Sequence, residues 1–217
     1  MENIFKSYNT LIESSDIERL KKIFVRYELF KLSENIPGDI VEAGVFKGTG
    51  HLYWLKLLKI FDQNSIKKVV GFDTFTKFPE TTKNFERKAA KEFTKEAKYK
   101  IEKNLISKIN NKVKALGCLN RSELIKGDIT KTSVKYCKKN RGFKISLLHL
   151  DLDTYAGTKA ALENFFPLVS KGGVIVFDEY GVRGWGETEA ADEYFSKFKY
   201  TIQKIKNSLK PTAYLIK

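Results

Sequence analysis

Apolar positions along this chain fall into blocks whose period switches between that of a helix and that of a buried strand. The first block opens at Ser15-x-x-Glu18, a capping-box spacing, and carries Ile17, Leu20, Phe24 and Tyr27 at helical intervals until Pro37-Gly38 stops it near Asn35. Residues 1–37 are thus expected to form an N-terminal helical segment. GDIVEAG at 38–44 then reads as a short apolar strand, Thr49 to Phe61 as a helix with Leu52, Leu55 and Leu58 on one side, and KKVVGFD at 67–73 as a second strand. Further strands are expected at Ser122–Asp128, Lys144–Asp151, Gly173–Asp178, Tyr200–Ile205 and Thr212–Lys217, with helices at Thr158–Phe166 and Glu187–Phe198. Residues 80–115 lack Gly and Pro, and their apolar members Phe85, Ala89, Phe93, Ala97, Ile101, Leu105 and Ile109 recur at helical spacing. They predict one or two long helices forming a lid across the mouth of the sheet. Strands alternating with helices imply an α/β fold, with a seven-stranded, mostly parallel sheet covered on both faces. We expect one domain spanning residues 1–217.

Composition narrows the setting. At 217 residues and 42% hydrophobic content the chain can bury a full core. No apolar run approaches the roughly 20 residues needed to cross a bilayer, and MENIFKSYNT lacks the basic and apolar regions of a signal peptide, so a cytoplasmic protein with no membrane partner is expected. Cys118 and Cys137 lie in no Cys/His cluster suited to zinc and read as inert thiols. The net charge of +14 comes from 40 Lys and Arg against 26 Asp and Glu. Lysines dispersed over many segments suit a solvated exterior, and no recognisable RNA-binding module interleaves aromatic with basic residues, which argues against a nucleic-acid partner. The densest basic stretch runs from Lys83 to Lys114. Sequence leaves the assembly state open, a homo-oligomer included.

Candidate chemistry gathers between Ile145 and Tyr180, where one helix lies between two apolar strands that each end in carboxylates. Asp151, Asp153, Asp178 and Glu179 must emerge where the strands run out of core, at the edge where open α/β sheets bind ligands. Like charges converging on one crevice repel unless a cation or proton lies between them, so the placement points to a divalent-metal site. After the first strand comes Glu42-Ala43-Gly44-Val45-Phe46-Lys47-Gly48-Thr49-Gly50, whose glycines follow GxxxGxG and not the GxGxxG of dinucleotide binders. Asp73, roughly 30 residues on at the next strand's end, can accept both hydroxyls of a ribose, so the pair suggests a nucleoside-bearing cofactor with Gly127-Asp128 beside its base. Of the two histidines, His149 shares a strand face with Asp151 and reads as a buried, satisfied imidazole. His51 either touches the cofactor or caps the surface. Trp185 and Arg183 lie on a Gly-flanked loop that either closes over substrate or only connects.

GDIVEAGVFKGTG, VVGFDTFTKFP, DLDTYAGTKAALENFFPLVSKGGVIVFDEYG and GETEAADEYF together resemble the class I S-adenosylmethionine-dependent methyltransferases, and specifically the macrocin O-methyltransferase group of metal-dependent sugar methyltransferases. The resemblance implies a Rossmann-like fold, S-adenosylmethionine and Mg²⁺ or another hard divalent cation as cofactors, and methyl transfer to one hydroxyl of a vicinal pair on a small molecule, a sugar or sugar nucleotide above all. A Lys-rich lid over the crevice would attract an anionic acceptor such as a sugar nucleotide diphosphate, the alternative being that those lysines are only a solvated helix face. Carried over by residue, Glu42, Gly44, Val45, Phe46, Gly48, Thr49, Asp73, Thr74 and Asp128 fall on cofactor-binding positions. Asp151, Asp178 and Glu179 fall on the metal-binding positions, and Asp151 is the candidate to receive the acceptor's proton. Two departures stand out: Glu179 occupies a place that is commonly Asp, and Ala156-Gly157 replaces a usual Glu-Ser. The family's base is often a His in the variable segment, and residues 80–115 contain none. A nucleic-acid methyltransferase and a non-catalytic cofactor-binding protein are the alternatives.

Overall fold

A computed structural model describes residues 3–79, 81, 83–96, 103–206 and 208–217. Its strands are β1 (Asp39–Ala43), β2 (Val69–Asp73), β3 (Ser122–Lys126), β4 (Ile145–Leu150), β5 (Val169–Phe177), β6 (Gln203–Lys204) and β7 (Ala213–Ile216). Its helices are α1 (Ile4–Glu13), α2 (Ile17–Ser33), α3 (Thr49–Phe61), α4 (Asn84–Glu96), α5 (Leu105–Ala115), α6 (Ile129–Lys139), α7 (Tyr155–Phe165) and α8 (Glu187–Phe195). The strands form one seven-stranded sheet in the order β3-β2-β1-β4-β5-β7-β6. Neighbours from β3 to β5 pair in parallel, while β7 runs antiparallel to both β5 and β6. Strand order reverses between β1 and β4, so the chain leaves those two strands in opposite directions and a crevice opens at their carboxyl ends.

Alternate residues of each central strand serve opposite layers. Ile40, Val69, Leu147 and Val176 pack with α2, α3 and α5 through Leu29, Phe30, Trp54, Leu58, Ile109 and Val113. Val41, Val70, Leu148 and Ile175 pack with α6, α7 and α8 through Ile129, Leu162, Phe165 and Phe195. Among the described residues no helix is long and apolar enough to cross a membrane. Both cysteines are free, Cys118 buried and Cys137 half-buried.

Several expectations shift. The cap of α2 is Asp16, not Ser15: its side chain accepts the Arg19 N–H at 3.1 Å. The stripe expected to pack is largely outside, with Ile17 60% and Phe24 63% exposed. Val25, Leu29, Phe30 and Ser33 are buried in their place, because only the second half of the helix lies over the sheet. A separate helix, α1, precedes it, and α6 fills the β3–β4 crossover that carried no expectation. Helix α7 starts earlier than expected because Thr154 caps it, and β6 shrinks to two residues. The predicted lid divides. Helix α4 lies at the mouth, whereas α5 buries Ile109 and Val113 in the core, where the missing side chain of Gly48 leaves room for Ile109. Ala97 and Ile101 lie outside the described residues.

Candidate active site

On the β1 and β2 side, the chain turns sharply at Gly44, whose φ is 99°. A Cβ there would collide with the Asp151 carbonyl, so only glycine lets the turn after β1 press against the exit of β4. Gly48, at φ 84°, caps α3, and Thr49 is that helix's first residue. Asp73 organises the loop: Oδ2 accepts the N–H groups of Val45 and Phe46, each at 2.9 Å, and Oδ1 accepts that of Phe75 at 2.7 Å. Thr74 donates its hydroxyl to the Lys77 carbonyl at 2.8 Å. Gly127 N–H bonds the Asp73 carbonyl at 2.9 Å, tying the β3 exit to the β2 exit. Asp128 caps α6, taking both the N–H and the hydroxyl of Thr130. The residues expected to bind cofactor therefore line three adjacent strand exits.

Beneath this loop lies a buried polar layer. Glu42 is 1% exposed and stands between two histidines, with His51 Nδ1 3.9 Å from Oε2 and His149 Nδ1 3.8 Å from Oε1. Neither spacing is a hydrogen bond. Arg26 Nε, Glu42 Oε2, His51 Nδ1 and His149 Nδ1 are all buried without a partner. His51 is neither a surface cap nor open to the crevice: it is fully buried, its Nε2 lies 2.8 Å from Ser122 Oγ, and burial lowers its pKa. His149 is buried as expected, yet unsatisfied at Nδ1. Burial pulls its pKa down, but Asp178 and Glu42 outweigh that and raise it to about 9.

The β4 and β5 exits bring the acids together. His149, Asp151 and Asp178 offer ligand atoms that all lie within 4.8 Å of one another. Asp178 Oδ1 is 3.4 Å from His149 Nε2 and 4.0 Å from Lys22 Nζ. Burial pushes the Asp178 carboxyl up, but His149, Lys22 and Arg26 hold it below the usual value. Asp151 has the opposite fate: burial, reinforced by the Asp178 charge, raises it to about 7. Asp153, at φ 61°, is pushed well up by burial and by the charges of Asp151 and Glu179. Glu179 stands apart from the three-residue group. One of its oxygens is held by Lys210, the other is buried without a partner, and its own N–H donates to Glu187 Oε1 at 2.7 Å. Glu187 is fully buried, and burial drives its pKa well up.

Sequence reasoning missed Lys22, Arg26, Glu187 and Lys210 as partners of these acids. A charged residue on a packing stripe was the available signal for Arg26, since Val25, Leu29 and Phe30 flank it. Nothing local marks Lys210.

Helix α4 roofs the cleft. Glu86, 1% exposed, accepts the Tyr155 N–H at 2.5 Å at the start of α7. Lys83 lies 2.5 Å from Glu189 and 3.8 Å from the Tyr155 ring centre. Phe93 joins Phe46 of the glycine loop, Phe78 and Trp185 at ring-centre distances of 6.3, 6.2 and 6.2 Å. The Trp185 loop is therefore docked against the roof, with Arg183 exposed beside it.

Known proteins share this fold. A curated relative from Streptomyces olivaceus, 8-demethyl-8-(2,3-dimethoxy-alpha-L-rhamnosyl)-tetracenomycin-C 4'-O-methyltransferase, is 23% identical over 70% of this chain. The chain spans 56% of that relative's length. Two structures of the calicheamicin methyltransferase CalS11, one described as a TDP-rhamnose 3'-O-methyltransferase, align over 96% of this chain and 85% and 86% of theirs, with TM-scores of 0.81 and 0.76 and identities of 24% and 23%. An O-methyltransferase from Bacillus cereus in complex with SAH aligns over all of this chain and 90% of its own, at TM-score 0.60 and 12% identity. These structural likenesses establish a Rossmann-like methyltransferase fold. A family model for macrocin-O-methyltransferase (TylF) matches residues 9–211, and the chain belongs to that family.

Proposed function

We propose that this protein is an S-adenosylmethionine-dependent O-methyltransferase that methylates one hydroxyl of a vicinal pair on a small molecule, a sugar or sugar nucleotide, with help from a divalent cation. The observation that carries this reading is the abutment of Gly44 on Asp151, which sets the expected cofactor turn and the acid cluster at one edge of the sheet. The sugar O-methyltransferase activity named for the Streptomyces relative and for CalS11 supports the acceptor class, and the SAH in the Bacillus cereus complex supports the cofactor. Lysines along α4 favour an anionic acceptor.

Donor chemistry fits both groups. Asp73 spends its oxygens on three amides and keeps acceptor capacity for about one further donor, a single ribose hydroxyl, because a carboxylate has about four lone-pair sites. Gly44, Val45, Phe46, Gly48 and Thr49 would keep the backbone close to the cofactor, with Thr74 and Asp128 beside it and Glu42 buried beneath the loop. Asp151 and Asp178 would hold the cation, flanked by Glu179 and His149, since a half-buried and a buried carboxylate this close call for a positive partner. S-adenosylmethionine supplies a methyl group already activated on sulfur, and a divalent cation supplies the charge that makes a chelated hydroxyl more acidic. The chain's own work is alignment, exclusion of water and proton handling. The α4 roof and Trp185 exclude water. Asp151, half-buried beside the other acids, is the side chain assigned to receive the hydroxyl proton.

Replacing Asp178 with Asn is expected to weaken cation binding by about 100-fold or more and to remove cation-dependent turnover, with cofactor affinity nearly unchanged. Calorimetric titration and turnover assays check this, and full turnover in chelator sinks the cation's part.

A further inference from the structure

We propose that this chain holds its divalent cation with one imidazole and two carboxylates, those of His149, Asp151 and Asp178, while Lys210 keeps Glu179 out of the coordination set, so that the site selects Co²⁺ or Mn²⁺ over Mg²⁺. The inference rests on the reading above that a cation works in this cleft, and it changes both the ligands and the class of metal.

Geometry comes first. Two donors bound to one ion at about 2.1 Å lie about 3.0 Å apart at right angles and about 3.4 Å apart at the tetrahedral angle. His149 Nε2 and Asp178 Oδ1 are 3.4 Å apart, and the ligand atoms of Asp151 complete the group within 4.8 Å. The same 3.4 Å is long for a hydrogen bond, whose usual length is about 2.9 Å. His149 thus makes a poor bond at one nitrogen and none at the other while fully buried. Such an under-satisfied buried group calls for a partner.

The surroundings of His149 suit a metal ligand. A ligating histidine typically turns its second nitrogen to a carboxylate that fixes the ring and strengthens the donor. Glu42 Oε1 stands 3.8 Å from His149 Nδ1, and Trp54 packs edge-on against the ring at 5.8 Å. Glu179 has the opposite surroundings. Its carboxylate is neutralised by the Lys210 ammonium, and no atom of it belongs to the three-residue group. An oxygen-only set favours Mg²⁺, whereas exchanging one carboxylate for an imidazole favours later divalent ions.

The test uses metal-stripped full-length protein titrated calorimetrically with Mg²⁺, Mn²⁺ and Co²⁺, alongside the visible spectrum of the Co²⁺ form, with thermal unfolding as the check that each variant folds. Co²⁺ is expected to bind at least about tenfold tighter than Mg²⁺. His149→Gln should remove that preference and shift the Co²⁺ bands, whereas Glu179→Gln should change Co²⁺ affinity by less than about threefold and leave the bands in place. Lys210→Met, which frees Glu179 to join, should narrow the gap between Co²⁺ and Mg²⁺. Equal affinity for the two ions, or a loss in Glu179→Gln as large as that in Asp178→Asn, overturns the proposal and leaves the cation reading standing. Absence of any binding, or binding that survives Asp178→Asn, overturns both.

Discussion

Gly44 shows how tightly single positions are constrained at this cleft. Its φ of 99° is a region that side chains rarely adopt, and an added Cβ would meet the Asp151 carbonyl, part of the backbone and unable to swing aside. Gly181 has a similar φ of 80°, yet nothing lies within 4 Å of its missing Cβ. Gly44→Ala is therefore expected to cost about 3 kcal/mol or more and to weaken cofactor binding, whereas Gly181→Ala should cost about 1 kcal/mol. Urea unfolding of the two variants checks the contrast, and equal losses would remove the steric account. Residues of this kind were legible beforehand because glycines and acids at the ends of apolar runs announce a strand exit. Their partners were not. Lys22, Arg26 and Lys210 come from α2 and from the segment before β7, and only the folded sheet sets them beside Asp178 and Glu179. His149 was read as satisfied because strand periodicity gives its face but not its neighbours.

At the level of elements, β1, β2 and β4 were legible because strands covered on both faces read as unbroken apolar runs. Helix α5 departs from that expectation for a physical reason: Ile109 and Val113, with Leu105 and Ile106 packed beside them, seat it in the core despite its lysines. Helix α4 does roof the cleft, and its attachment is local. Glu86 supplies an acceptor to the first N–H of α7, and among the described residues a ring cluster and the Lys83 pair add to the contact. Glu86→Ala leaves that N–H without its carboxylate, at a cost of about 1–3 kcal/mol. Because this opening is sub-global, amides of α4 should exchange about 10 to 100 times faster while those of β4 and β5 keep their protection. Hydrogen exchange read by mass spectrometry distinguishes this from a uniform loss across the chain, which would mean that α4 is integral to the core and not a separable roof.

Charge is segregated across the whole molecule: lysines give a net +14 on a largely solvated exterior, while Asp151, Asp153, Asp178, Glu179 and Glu187 converge on one interior edge. That convergence sets the direction of the protein's response to pH. Asp151 is raised from 3.8 to about 7, so between those values the folded state keeps a proton that the unfolded chain has given up, and stability falls as pH rises. His149 is raised from 6.5 to about 9, so its contribution is complete below 6.5 and is lost as pH climbs to about 9. Asp178 is lowered and acts oppositely, but only below its ordinary value of 3.8, and His51, lowered by burial, acts oppositely only up to its ordinary value of 6.5. The metal-free protein should therefore be most stable on the acid side of neutrality and lose stability steadily from about pH 5 to 9. His149→Gln should flatten the part above 6.5, and Asp151→Asn the part below 7. A saturating divalent cation binds the ionised site and only the folded chain, so it should offset the decline, by about 2.7 kcal/mol at a hundred times its dissociation constant. Urea unfolding in chelator and in Mn²⁺ across this range measures both effects. A chelated protein whose stability stays level or rises from pH 6 to 9 would mean that the acids and the imidazole do not share protons as this geometry requires.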